Sequence, residues 1–214
     1  MKTILVITVL AGALAVYWFP IRRLFTRWGT APEELVRSMP GDVLAPKPTF
    51  ENTLAVTIDA APEDIWPWLV QMGHGRGGLY SYDWLARLFG YLDRPSETRV
   101  LPEFQRLNAG DVIPIGRGPG FPVAAVDARR SLVLSGKADD FVWVWQFGLY
   151  PIDAITTRLV SRNSAAVPPT IASWLLLRVL EPAAFLMTRR MLLGVAQRAE
   201  SLARSRRRRA TRVA

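Results

Sequence analysis

The chain has 214 residues, half of them hydrophobic and eight of them Trp, with one His, no Cys and a formal net charge of +9. Such a chain has material for one ordinary domain with extensions. The lack of Cys excludes disulfides, iron–sulfur clusters and thiol nucleophiles, and a single His leaves no usual zinc site, so neither metal nor cofactor is expected.

The basic charge sits in the tails. Residues 1–27 carry +4 and residues 198–214 carry +6, whereas 28–197 carry −1. A neutral body argues against nucleic acid as a partner, because a nucleic-acid-binding domain wears its basic charge on the folded surface.

The first element in chain order is apolar. Residues 3–21 (TILVITVLAGALAVYWFPI) contain no charge and have the length of a membrane-spanning helix. Tyr17, Trp18 and Phe19 stand where aromatic rings prefer the headgroup region, and Arg22, Arg23 and Arg27 follow. The competing reading is a signal peptide cleaved at Ala13-Leu14-Ala15, but the run continues past that site and its charged leader is only Lys2. The expectation is a single-pass anchor over 1–27 in the cell membrane, with the three Arg placing the globular part in the cytoplasm.

Residues 28–48 are rich in Pro and Gly and form a lead-in with one short helix at 31–38. Residues 49–59 then alternate, with Phe50, Leu54, Val56 and Ile58 on one face and Glu51, Thr53, Thr57 and Asp59 on the other, the pattern of a half-buried strand. Ala61-Pro62-Glu63-Asp64 opens a short helix, with Pro at its first position and acids in its first turn. Its buried stripe is Ile65, Leu69 and Met72, and Pro67 distorts it.

A Gly-rich turn and a second short helix at 82–89 follow, then short strands at 111–115, 120–128, 131–135, 141–149 and 155–162. Their close spacing implies antiparallel pairing. From Thr170 to about Ser205 the period is helical, with Phe185, Leu192, Val195, Ala199 and Leu202 in a stripe and Glu181-Pro182 dividing or restarting the helix. Arg178, Glu181 and Pro182 argue against a second membrane span here. Residues 204–214 read as a disordered Arg-rich tail suited to anionic lipid.

Strand, two small helices, about five further antiparallel strands and a long last helix describe an α+β helix-grip fold, a curved antiparallel sheet wrapped around the C-terminal helix. The folded domain is expected over 49–203.

Candidate site residues fall in two places. Gly73–Gly78 spells G-x-G-x-x-G but follows a helix instead of a strand, so it reads as a tight turn and not as a dinucleotide fingerprint. His74 lies in that turn, and Tyr80, Tyr82, Asp83 and Trp84 follow it. In a cavity, Asp83 or His74 could serve as a base, with Tyr80 or Tyr82 as hydroxyl donors. The structural alternative is Ser81 as a helix cap, with Asp83 complementing the helix dipole. On 141–149, Phe141, Trp143, Trp145, Phe147 and Leu149 line one strand face, as core or as the wall of an apolar pocket.

The run WPWLVQMGHGRGGLYSYDW (66–84), with Ala61–Trp66 before it and LPEFQRLNAGD (101–111) after it, resembles a bacterial SRPBCC-type family. These are START-like, polyketide-cyclase-related helix-grip proteins. Thr157-Arg158-Leu159 and EPAAFLMTRRMLLGVAQRAE (181–200) match the same pattern. The resemblance implies a cavity for a small hydrophobic or lipid-like ligand, to which Tyr80, Tyr82, Trp84, Trp143, Trp145 and Phe147 would contribute. The leading expectation is therefore a membrane-tethered binding module. The alternatives are a cyclase- or dehydratase-type enzyme using Asp83, His74 or Tyr82, and a protein-interaction domain without a ligand.

Overall fold

The structure, a computed structural model, describes residues 20–213. The expected anchor over 3–21 lies, apart from Pro20 and Ile21, outside the described residues. The elements are α1 (Arg22–Arg27), α2 (Pro32–Val36), β1 (Phe50–Ile58), α3 (Pro62–Val70), α4 (Asp83–Leu88), β2 (Val112–Ile113), β3 (Phe121–Asp127), β4 (Ser131–Ala138), β5 (Phe141–Pro151), β6 (Thr157–Ala166) and α5 (Ile171–Val213). The six strands form one sheet in the order β1-β6-β5-β4-β3-β2, antiparallel throughout. The long last helix lies across its concave face. This is the helix-grip fold.

Alternation along the strands builds the core. Leu54, Ile58, Leu132, Leu134, Phe147, Leu149 and Leu159 are buried on the concave side, where Leu192, Val195 and Ala199 of α5 and Ile65, Trp68 and Leu69 of α3 meet them. Close packing of α5 depends on Gly194. A Cβ there would collide with the backbone oxygen of Tyr80, a residue held at φ +54°.

The convex face is covered too, which corrects the expected polar face of β1. Thr53 and Ala55 are buried because the lead-in folds back over the sheet. Ala55 N–H donates to Trp28 O (3.1 Å), and Met39 packs on Ala55 and Val160. The lead-in is secured by two arginines of β6. Arg158 pairs with Glu34 (2.7 Å). Arg162, almost fully buried, donates to Asp42 (2.8 Å), Thr53 Oγ1 (3.1 Å), Arg37 O (3.0 Å) and Glu34 O (2.9 Å).

Burial alone would raise the Glu34 carboxyl. Hydrogen bonds from Arg158 and the Ala31 N–H, with the Arg158 and Arg37 charges, outweigh it and hold the group below its ordinary 4.5. A depressed folded-state pKa gives stability that is present at neutral pH and lost as pH falls below the ordinary value and through the folded one. Urea unfolding from neutral to acid pH should therefore show the stability gap between the wild type and Glu34→Gln closing in acid. A gap constant with pH would contradict the pairing.

Two expectations for α5 are corrected. The helix runs through Pro182 without a break, and residues 204–213, expected as a disordered tail, continue it. Arg206 reaches Asp64 (2.6 Å) and Arg207 reaches Asp59 O (3.0 Å), so carboxyl and carbonyl acceptors beside α3 offset the like-charge repulsion of the run. Among the described residues α5 is the one helix long and apolar enough to cross a membrane by length and composition, and 17% of its apolar window is buried.

Candidate functional site

The aromatic ladder of β5 is graded along the strand. Phe141 is exposed, Trp143 and Trp145 are half-buried, and Phe147 and Leu149 are buried. The sheet and α5 therefore part at the Phe141 end. Between them lies a cavity of about 150 Å³ lined by Phe50, Asn52, Phe121, Trp143, Trp145, Asn163, Ala184 and Thr188. Its origin is a difference in side-chain size. Ala184 and Thr188, one helical turn apart on α5, oppose two Trp rings and leave the intervening space unfilled.

The walls are held in place. Phe121 meets Trp143 and Trp145 edge-on, with ring centroids 6.4 and 6.2 Å apart. Trp143 Nε1 donates to Asn163 Oδ1 (3.2 Å) and Trp145 Nε1 to Ser161 Oγ (3.1 Å). Asn163 Nδ2 in turn donates to Asn52 Oδ1 (3.3 Å). Asn52 and Thr188 retain hydrogen-bonding capacity toward the cavity, an arrangement suited to fixing the polar end of an apolar ligand.

A second cavity, of about 430 Å³, lies nearer the start of α5. Thr49, Val167, Pro168, Ile171, Trp174 and Leu177 are among its lining residues. Thr49 adjoins Phe50 on β1, and Leu177 lies two turns before Ala184 on α5. The two cavities therefore follow one another along the same helix face.

Of the residues singled out in the sequence, Trp143 and Trp145 line the inner cavity. Phe147 packs below it in the core. Tyr80, Tyr82 and Trp84 are not among its lining residues. Tyr80 is buried in the Gly-rich turn, its hydroxyl against Gly77 and Gln71. Burial pushes that phenol well above its usual pKa, so it stays neutral.

Asp83 is a structural acceptor, taking the Ser96 N–H (2.9 Å) and Oγ–H (2.6 Å). Tyr82 is the residue that flanks the start of α4, and no side chain caps it. Ser81, expected as the cap, instead donates to Met187 O (2.8 Å) on α5. His74 places Nδ1 3.2 Å from Tyr91 O and lines an open polar groove with Trp84, Arg87, Asp93 and Arg117. Asp83 and His74 therefore do not face the Trp-lined cavity. The Gly73–Gly78 run is the expected turn, closed by paired backbone bonds and with Gly73, Gly75 and Gly78 at positive φ.

Sequence reasoning missed Phe50, Asn52, Phe121, Asn163, Ala184 and Thr188 as cavity residues. Asn52 was detectable, because it occupies an inward position between Phe50 and Leu54. Asn163 was hidden by a strand boundary set at 162, whereas β6 continues to Ala166.

No family model and no curated protein matches this chain. Solved structures resemble it at low identity. Protein MLL2253 from Mesorhizobium loti is 18% identical, covers 70% of this chain and 98% of its own, and superposes with a TM-score of 0.41. DynU16, from the dynemicin biosynthetic locus, is 15% identical over 68% of this chain and 46% of its own, with a TM-score of 0.40. A norcoclaurine synthase point mutant from Thalictrum flavum, in complex with a transition-state analogue, is 14% identical over 74% of this chain and 96% of its own, also with a TM-score of 0.40.

Proposed function

We propose that the protein is a membrane-tethered module that binds a small hydrophobic or lipid-like ligand between the sheet and α5, with residues 3–21 as the tether. The observation that carries this reading is the Trp-lined cavity with Asn52, Asn163 and Thr188 at its polar side. Volume decides what it can hold. An apolar cavity of ~150 Å³ takes something the size of benzene, whereas ligand sites for larger molecules run to ~300–1,000 Å³. The inner cavity thus accepts a ring or a branched end, and the rest of the ligand lies in the outer cavity. The enzyme reading has less support, because a general base must come within hydrogen-bond reach of its proton and neither Asp83 nor His74 faces this space.

The test fills the cavity. The full chain in dodecylmaltoside micelles is titrated with N-phenylnaphthylamine while Trp emission is followed, and protein extracted from its host membrane is examined by native mass spectrometry. Saturable quenching and a co-purified small molecule are expected, and Ala184→Leu should weaken probe binding at least tenfold while the protein stays folded. No saturable binding by the wild type, or equal binding by the filled variant, would overturn the reading.

A further inference from the structure

We propose that the amino-terminal part of α5, residues 171–180 with Leu186, is a wedge that inserts into the bilayer beside the anchor without crossing it and seats the mouth of the cavity in the lipid phase.

The carboxyl half of α5 buries Leu192, Val195 and Ala199, as a core helix does. The amino part does not. Ile171 is 80% exposed, Leu176 58% and Val179 72%, and Leu175, Leu180 and Leu186 are exposed as well. A helix that is apolar on most of its faces and is not buried in protein suits hydrocarbon rather than water.

What covers this surface follows from the chain beside it. Arg22 of α1 bonds Glu181 (3.2 Å) and Phe25 meets Phe185 with ring centroids 5.1 Å apart. Residue numbers thus rise together on the two helices, which run in the same direction. The amino-terminal end of α1 therefore points to the side on which α5 runs back from Glu181 to Ile171. If the anchor lies in the bilayer, the exposed end of α5 starts at the same entry point.

Charges mark the depth. Between Ile171 and Thr188 the charged residues are Arg178 and Glu181, which pair with each other, and Glu181 also pairs with Arg22. Past them the surface turns basic. Arg189 stacks on Trp28 (4.8 Å), which places exposed Arg27 and Arg190 at one level, with Arg23 nearby, where anionic headgroups would lie.

The tip exposes few backbone donors. Pro168 and Pro169 present no N–H groups. Val167 N–H donates to Thr49 Oγ1 (3.1 Å), Thr170 N–H to Pro168 O (2.8 Å) and Ser173 N–H to Thr170 Oγ1 (3.1 Å). Each backbone donor satisfied within the protein lowers the cost of leaving water.

Length then separates a wedge from a span. From Ile171 to the basic level at Arg189 the helix rises ~27 Å, less than a hydrocarbon core ~30 Å thick, and the chain returns through Val167–Thr170 to the sheet, so the segment enters the bilayer without crossing it. The outer cavity is lined by this tip, so its mouth faces lipid. That last step rests on the ligand-binding reading above, whereas the insertion itself does not.

The absence of native Cys allows clean single-site labels. Leu175→Cys and Val179→Cys, with Leu88→Cys on α4 as the exposed reference, are labelled with a nitrobenzoxadiazole dye. The full chain is then reconstituted in vesicles of phosphatidylcholine and phosphatidylglycerol carrying acyl-chain spin labels. Dyes at 175 and 179 should shift to the blue and be quenched at least threefold more than the dye at 88. Equal quenching at all three sites overturns the wedge. A dye shielded from water without lipid quenching also overturns it, and assigns the surface to a second copy or to residues 3–19. Val179→Asp should leave the micelle affinity for N-phenylnaphthylamine within twofold and slow its uptake from vesicles at least tenfold; unchanged uptake overturns entry from lipid. If the wild type binds no probe while 175 and 179 are quenched, the ligand reading fails and the wedge stands.

Discussion

Replacing Arg162 by Ala should cost about 3 kcal/mol or more, because a buried guanidinium with hydrogen bonds to Thr53, Glu34, Arg37 and Asp42 is lost and its acceptors are left without it. The guanidinium is 4% exposed and joins β6 to a lead-in more than 100 residues earlier. Without it the Glu34 and Arg37 carbonyls lose this donor, and the Asp42 carboxylate loses one of three, keeping Gln146 Nε2 (2.6 Å) and the Met39 N–H (2.8 Å). Arg162→Lys should recover only part of the loss, since one ammonium cannot reproduce the planar fork. Denaturant unfolding of the three proteins measures this. A change below about 1 kcal/mol for Arg162→Ala, the range of an exposed pair, would show that the lead-in is not held by this residue.

The second large effect distinguishes wall from core on a single strand. Phe147→Ala removes a fully buried ring and should cost about 3–5 kcal/mol. Trp145→Ala, two residues away on the same face, should cost clearly less despite the larger side chain, because the Trp145 ring already borders open space and its neighbours lose fewer contacts. Unfolding energies fix the order, and probe titration gives the second readout. Trp145→Ala should change the affinity for N-phenylnaphthylamine several-fold, whereas the Phe147 variant, where folded, should bind nearly as the wild type does. Equal destabilisation by both changes would mean that the Trp145 ring is packed like core.

The element order was legible because period-two and period-3.6 patterns are local. Phe50–Ile58, the ladder from Phe141 to Leu149 and the Phe185–Ala199 stripe all carried their own signal. What was not legible depends on partners distant in sequence. Thr53 looks like a solvent-facing residue until Arg162, 109 positions later, is placed against it. Pro182 looks like a breaker, yet tertiary contacts on both sides keep one helix through it. The site shows the same division. Trp143 and Trp145 declared an apolar wall, but the space in front of them exists only because Ala184 and Thr188 arrive from another element, and small residues leave no mark in a hydropathy pattern. Tyr80 and Asp83 gathered attention through their chemistry, while the structure packs one against Gly77 and Gln71 and bonds the other to Ser96.

The pairing of β1 with β6 also sets the order of events at the ribosome. Phe50 faces Ala165 and Ile58 faces Thr157, and β1 has no other strand partner among the described residues. About 100 residues must be synthesised after β1 before its partner exists, which at ~5–20 residues per second is roughly 5–20 s. During that interval β2 to β5 can form their local hairpins, but β1 lacks its strand partner and the lead-in lacks Arg158 and Arg162. Closure of the sheet is therefore a late, long-range step, and its slowness is a property of topology rather than of any weak element.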